Sequence, residues 1–136
     1  MQAPLFEELE HTADWALRVR GKDLADLLRN AAQGMLQLSG AVPQPGPRSR
    51  RELRLDSLDR ESLLVDFLQE LLLGIEMRQV AYLEIEIHDV TDTALRATLT
   101  EAPLQGLDKP IKAVTYHDLQ IEEVPQGLVT TVVFDV

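Results

Sequence analysis

The chain contains no cysteine. Disulfides, thiolate metal sites and a cysteine nucleophile are thereby excluded, and the composition fits a reducing compartment. The start of the sequence has no basic segment followed by an apolar core, so no secretory signal is expected, and a cytoplasmic protein is. No apolar run is long enough to cross a bilayer. The greasiest stretch, Leu63 to Ile75, is interrupted by Asp66, Gln69 and Glu70, so no membrane association is expected. There is no glycine-rich phosphate loop, which argues against phosphate transfer of the Walker type. Basic patches are also scarce. The formal net charge is -10, and the one basic cluster, Arg48, Arg50, Arg51 and Arg54, reads as a solvated loop and strand edge. Strong direct binding to nucleic acid is therefore not expected. An acidic surface instead suits solubility, a divalent cation or a basic protein partner.

What is present describes one ordinary domain. The 136 residues, 45% of them hydrophobic, suffice for a core without staples, since a chain of this size buries roughly two thirds of its unfolded surface. No repeat is visible, and the proline-rich segment 41–49, with Pro43, Pro45, Gly46 and Pro47, reads as a loop too short for an interdomain linker, so residues 1–136 are read as one unit.

Hydrophobic periodicity sets out the elements. Leu5 to Glu10 reads as a short strand broken by His11-Thr12-Ala13-Asp14. Trp15 to Arg20 alternates, with Trp15, Leu17 and Val19 on one side, as a half-buried strand does. Gly21-Lys22-Asp23 turns into a helix that Asp23 can cap. Its stripe is Leu24, Leu27, Leu28, Ala31, Met35 and Leu38, and Gly40 is a plausible stop. Arg51 to Asp56 alternates again, with Leu53 and Leu55 inward. Asp59 and Arg60 open a second helix with a wide apolar face, and Gly74 predicts fraying near its end. After Ala81 strands dominate. Leu83, Ile85 and Ile87 form one, and Leu95, Ala97 and Leu99 the next, joined through Thr91-Asp92. Another begins at Leu119 and Ile121, and the last, Val129 to Phe134, is β-branched enough to be central. The order predicts an α+β fold, two amphipathic helices packed on one face of a mostly antiparallel sheet.

A few residues could carry chemistry. Asp135 places a carboxylate in the apolar run Val132-Val133-Phe134-Asp135-Val136, and a buried carboxylate needs a cation or hydrogen bonds to remain charged. The carboxylate of Val136 adjoins it, and Asp14 is the best third donor for a hard cation such as Ca²⁺ or Mg²⁺. The competing reading is a wet chain end. On their own, His11 and Asp14 better suit a turn in which the Thr12 and Asp14 side chains bond local backbone. His11, His88 and His117 are too scattered to support a zinc site. Lys112 and His117 could meet a phosphate or a partner's acidic group, or could simply be surface residues.

The segments Phe6–Asp14, Gly21–Leu38, Glu61–Leu72, Ile111–Leu119 and Thr131–Val136 together resemble, in this order, the motifs of the archease family: a strand ending in His-Thr-Ala-Asp, two helices, a Lys-containing signature and a characteristic ending. The resemblance spans nearly the whole chain, with Trp15 standing where a smaller aliphatic residue is expected. It implies an accessory protein of an RtcB-type RNA ligase rather than an enzyme. That ligase joins RNA ends through its own guanylylated histidine, and archeases promote its guanylylation and multiple turnover in tRNA splicing and RNA repair. The resemblance further implies a divalent-metal site at Asp14, Asp135 and Val136, with Ca²⁺ foremost and Mg²⁺ or Mn²⁺ next. It makes His11, Lys112 and His117 a polar rim facing the ligase. The alternatives are a stand-alone metal-dependent phosphohydrolase and a chaperone or modulator of RNA-processing enzymes.

Overall fold

The structure, a computed structural model, describes residues 3–9 and 15–136. Among them the strands are β1 (Phe6–Leu9), β2 (Trp15–Gly21), β3 (Val42–Pro43), β4 (Ser49–Asp56), β5 (Val80–Val90), β6 (Ala94–Gly106), β7 (Ala113–Thr115), β8 (Glu122–Val124) and β9 (Gly127–Asp135). Helix α1 (Leu24–Ser39) separates β2 from β3, and α2 (Arg60–Leu73) separates β4 from β5. The α+β class predicted from the sequence is the one found, and all described strand pairings are antiparallel.

The expected single sheet is two. In the first, β9 pairs with β2, which pairs in turn with β1, and the other edge of β9 carries β7 and β8. In the second, β6 is central between β4 and β5, and its far end pairs with β3. One core joins them. Leu17, Val19, Val132 and Phe134 from the first sheet meet Leu95, Ala97 and Leu99 from the second, together with Leu27, Leu28, Ala31 and Met35 of α1 and Leu63, Leu64, Phe67, Leu68 and Leu71 of α2.

Both helices begin as the sequence suggested. The Asp23 carboxylate accepts from the Asp26 N–H at 2.9 Å, and the Asp59 carboxylate from the Ser62 N–H at 2.8 Å. Helix α1 ends at Gly40, whose φ of 67° lies in the left-handed region and whose N–H reaches the Leu36 and Gln37 carbonyls, the usual role of glycine past a helix end. The bonds from Ser62, backbone first and hydroxyl second, hold Asp59 below the ordinary carboxylate pKa. A carboxylate so shifted stabilises the fold above its unfolded pKa, and the contribution disappears as pH falls through the folded value. Asp59→Ala is therefore expected to lower the melting temperature at neutral pH. The deficit should shrink to nothing as pH drops well below the ordinary aspartate value of 3.8, which melts across an acid series measure.

Three local expectations are corrected. The chain does not fray at Gly74: it widens into a π-helical turn, Gly74–Arg78. Segment 41–49 is not all loop, because Val42–Pro43 pairs with β6 and β4 already begins at Ser49. Leu119 and Ile121 do not open a strand, since β8 starts at Glu122. Ile121 is buried, but helix side chains take its main-chain groups: its N–H donates to the Glu61 carboxylate at 2.9 Å and its carbonyl accepts from Arg60 Nη2 at 3.1 Å.

Candidate functional site

Strand β9 is buried along most of its length and leaves the core at its end. Val132 and Phe134 are fully buried, Val133 is nearly so, and Asp135 is exposed. Alternation along a strand puts Val133 and Asp135 on the face opposite Phe134, away from the core. Two neighbours frame this end. On one side β2 begins, Trp15 opposite Phe134 and Ala16 opposite Val133. On the other side β7 lies against it, Ala113 opposite Asp135 and Thr115 opposite Val133. The Lys112 N–H donates to the Asp135 carbonyl at 2.8 Å. The fold thus brings Lys112, Asp135 and Val136 to one end of the first sheet. The isolated carboxylate in an apolar strand is explained by the strand emerging into solvent there.

His117 lies just past β7 in a turn closed by a Leu119 N–H to Tyr116 carbonyl bond of 3.0 Å. Its N–H donates to Thr115 Oγ1 at 3.2 Å. Its ring nitrogen Nε2 lies 3.3 Å from Asp118 Oδ2, both side chains being well exposed. Asp118 has φ 48°, a left-handed conformation that aspartate tolerates better than most residues. His11 and Asp14 lie outside the described residues, and β2 begins one residue after Asp14 in the chain. Among the described residues no three histidines or carboxylates cluster closely enough to hold an ion. His88, read as a solvent-facing residue, contacts Thr98 Oγ1 through Nε2 at 2.6 Å, and that hydroxyl donates to Glu52 at 2.8 Å.

The sequence reading missed Lys109. Its ammonium sits 4.3 Å from the centroid of the Trp15 ring, within the range of a cation–π contact. The Asp108 and Lys109 N–H groups both donate to the Ser39 carbonyl at 3.0 Å. The loop leading to Lys112 is thereby fastened to the end of α1 and to the start of β2. Trp15, unexpected in the sequence, now has a contact that a small aliphatic side chain could not make. No local pattern announces such a pair, because its partners lie at opposite ends of the chain. Beside this loop runs a groove of about 480 Å³, within the range of ordinary ligand clefts, walled by Leu72, Ile75 and Leu107 with Glu76, Gln79 and Lys112 among its polar residues.

Comparison with known proteins covers the whole of this architecture. Residues 6–136 match the sequence profile described as the Archease protein family (MTH1598/TM1083). A protein archease of Methanosarcina mazei is 31% identical over 143 residues, covering 99% of this chain and 98% of that protein. A protein archease of Thermococcus gammatolerans is 32% identical over 130 residues, covering 90% of this chain and 91% of its own length. Among solved structures, an archease from Thermotoga maritima described as a possible chaperone aligns with a TM-score of 0.71 at 27% identity, over 100% of this chain and 98% of that one.

Proposed function

The chain belongs to the archease family, and on that premise we propose that it is an accessory protein of an RtcB-type RNA ligase. In this reading it works in the cytoplasm in tRNA splicing and RNA repair. It promotes guanylylation of the ligase and its repeated turnover, and has no stand-alone catalysis of its own. The observation that carries the reading is the coincidence of a family match over residues 6–136 with an exposed carboxylate at the end of β9, beside Lys112.

That end is the proposed seat of a divalent cation, Ca²⁺ first and Mg²⁺ or Mn²⁺ next. Asp135 and Val136 would hold it with Asp14, which directly precedes β2, the strand that flanks β9. The donor set fits, being all oxygen and charged, as hard cations require. When bound, the cation supplies positive charge against nucleotide or RNA phosphates. The chain's own residues do the rest. Lys112, whose N–H donates to the Asp135 carbonyl, would offer an ammonium at this end of the sheet, His117 would present its ring from the turn past the other end of β7, and His11 would complete the rim facing the ligase. Trp15 and Lys109 hold the Lys112 loop in place. The acidic character of the molecule, -10 overall, suits approach to a basic nucleotide-binding cleft.

The test is RNA joining by a cognate RtcB-type ligase with RNA in large excess. Ligase alone is expected to stall after about one turnover, and added protein to restore repeated turnover. An unchanged yield would end the accessory reading. Phosphate-ester hydrolysis by the purified protein, abolished by a chelator, would replace it with the phosphohydrolase reading.

A further inference from the structure

Strand β4 is an edge strand. Residues Ser49–Asp56 pair with β6 on one side and with no other described strand. Among the described residues their main chain bonds to nothing beyond that ladder. The other edge is a row of open N–H and C=O groups, the surface onto which a further strand can add.

The charge along this edge is unlike that of the rest of the molecule. In a chain of net charge -10, four of the 13 basic residues, Arg48, Arg50, Arg51 and Arg54, fall on or just before β4, and all four are exposed. Arg51 turns inward to Glu101. Arg50 has only a 3.8 Å contact with Glu86, and Arg48 and Arg54 have no ionic partner among the described residues. Arg54 also stands directly opposite Arg96, a like-charge cross-strand pair of the kind that destabilises a sheet. Asp89 neutralises Arg96 at 2.8 Å, leaving the Arg54 guanidinium uncompensated.

Basic residues on an edge oppose pairing with a second copy, since β4 against β4 sets arginine against arginine. They do not oppose a strand of the opposite charge. RNA fits poorly. It has no main-chain N–H and C=O groups to complete the ladder, and Glu52 and Glu86 lie among the arginines on the same sheet. We infer that the outer edge of β4 accepts an extended acidic segment of a partner protein as an added strand, main-chain bonds giving affinity and Arg48, Arg50 and Arg54 selecting acidic side chains. This surface is separate from the end of β9 and does not rest on the proposed function.

The probe is a capped decapeptide alternating glutamate with valine and threonine, alongside a counterpart carrying lysine for glutamate. Amide hydrogen exchange on the full chain is the readout. The acidic peptide is expected to slow exchange at amides within 49–56. Charge reversal in R48E/R50E/R54E should weaken its binding at least about tenfold and admit the lysine peptide instead. Should the reversed variant fail to fold, R48Q/R54Q must weaken acidic-peptide binding while melting like the parent. No protection within 49–56 at millimolar acidic peptide, or equal protection by both peptides, overturns the inference. So does protection of the same strand by a single-stranded RNA oligonucleotide but not by the acidic peptide.

Discussion

Asp135→Ala is expected to fold as the parent does and to lose stimulation of the ligase. The side chain is exposed at the end of β9 and makes no hydrogen bond or ion pair among the described residues. Its structural contribution is main-chain: pairing with Ala113 and accepting the Lys112 N–H, both of which an alanine keeps. Exposed positions of this kind change stability by no more than about 0.5 kcal/mol. A charged oxygen ligand is different, because cation affinity in carboxylate sites is set by the number of charged ligands. Its loss should weaken the cation by at least about tenfold and bring multiple-turnover joining down to the level of ligase alone. Asp14→Ala should do the same, and Asp135→Asn, which keeps an oxygen without the charge, should fall between. Glu84→Ala, an exposed carboxylate on the other sheet, serves as the control and should stimulate fully. Melting curves, cation titration and ligation with excess RNA on the same preparations make the comparison. Full stimulation by both Asp14→Ala and Asp135→Ala would refute the metal site while leaving the accessory role standing.

The sequence was most readable where a helix or strand owes its pattern to one buried face. The stripe of α1 lies in the core at Leu27, Leu28, Ala31 and Met35, and β9 is paired on both edges, as its β-branched run suggested. It was least readable where tertiary partners overrule local pattern. Strand β6 runs on through Glu101, Ala102 and Pro103 to Gly106, well past the alternation of Leu95, Ala97 and Leu99 that marked it in the sequence. Ion pairing at Glu101 lets the strand continue. Ile121 has the alternation of a strand, yet its main chain is satisfied by Arg60 and Glu61. At the candidate site the odd carboxylate of Asp135 was legible from its apolar neighbours. Its pairing with β7 was not, because three residues carry no period, and neither was the Trp15–Lys109 contact.

Arg78→Met is expected to destabilise the fold by about 2–3 kcal/mol, toward or just below the low end of what removing one partner of a buried ion pair does. The Glu101 side chain is only 4% exposed. Its Oε1 accepts from Arg78 Nη1 at 2.6 Å. Its Oε2, buried without a hydrogen bond, has only the Arg51 guanidinium at 3.5 Å. Without Arg78 the carboxylate remains desolvated with that one distant partner. The effect stays moderate because Arg78 itself is 32% exposed, so part of its charge is already solvated. The neighbourhood cannot easily relax. The Tyr82 hydroxyl donates to the Leu71 carbonyl at 2.9 Å, and burial holds its pKa well above that of an ordinary tyrosine. A side chain at Gly74 would strike that hydroxyl and the Arg78 guanidinium, so glycine is what allows the π-helical turn to close over the pair. The same turn supplies Ile75 and Glu76 to the groove that Lys112 also lines, which links this buried pair to the geometry beside the candidate site. In urea unfolding, the double variant Arg78→Met with Glu101→Met should be more stable than Arg78→Met alone, since it removes the stranded carboxylate rather than leaving it. A loss below about 0.5 kcal/mol for Arg78→Met, the size of an exposed pair, would show instead that water reaches Glu101.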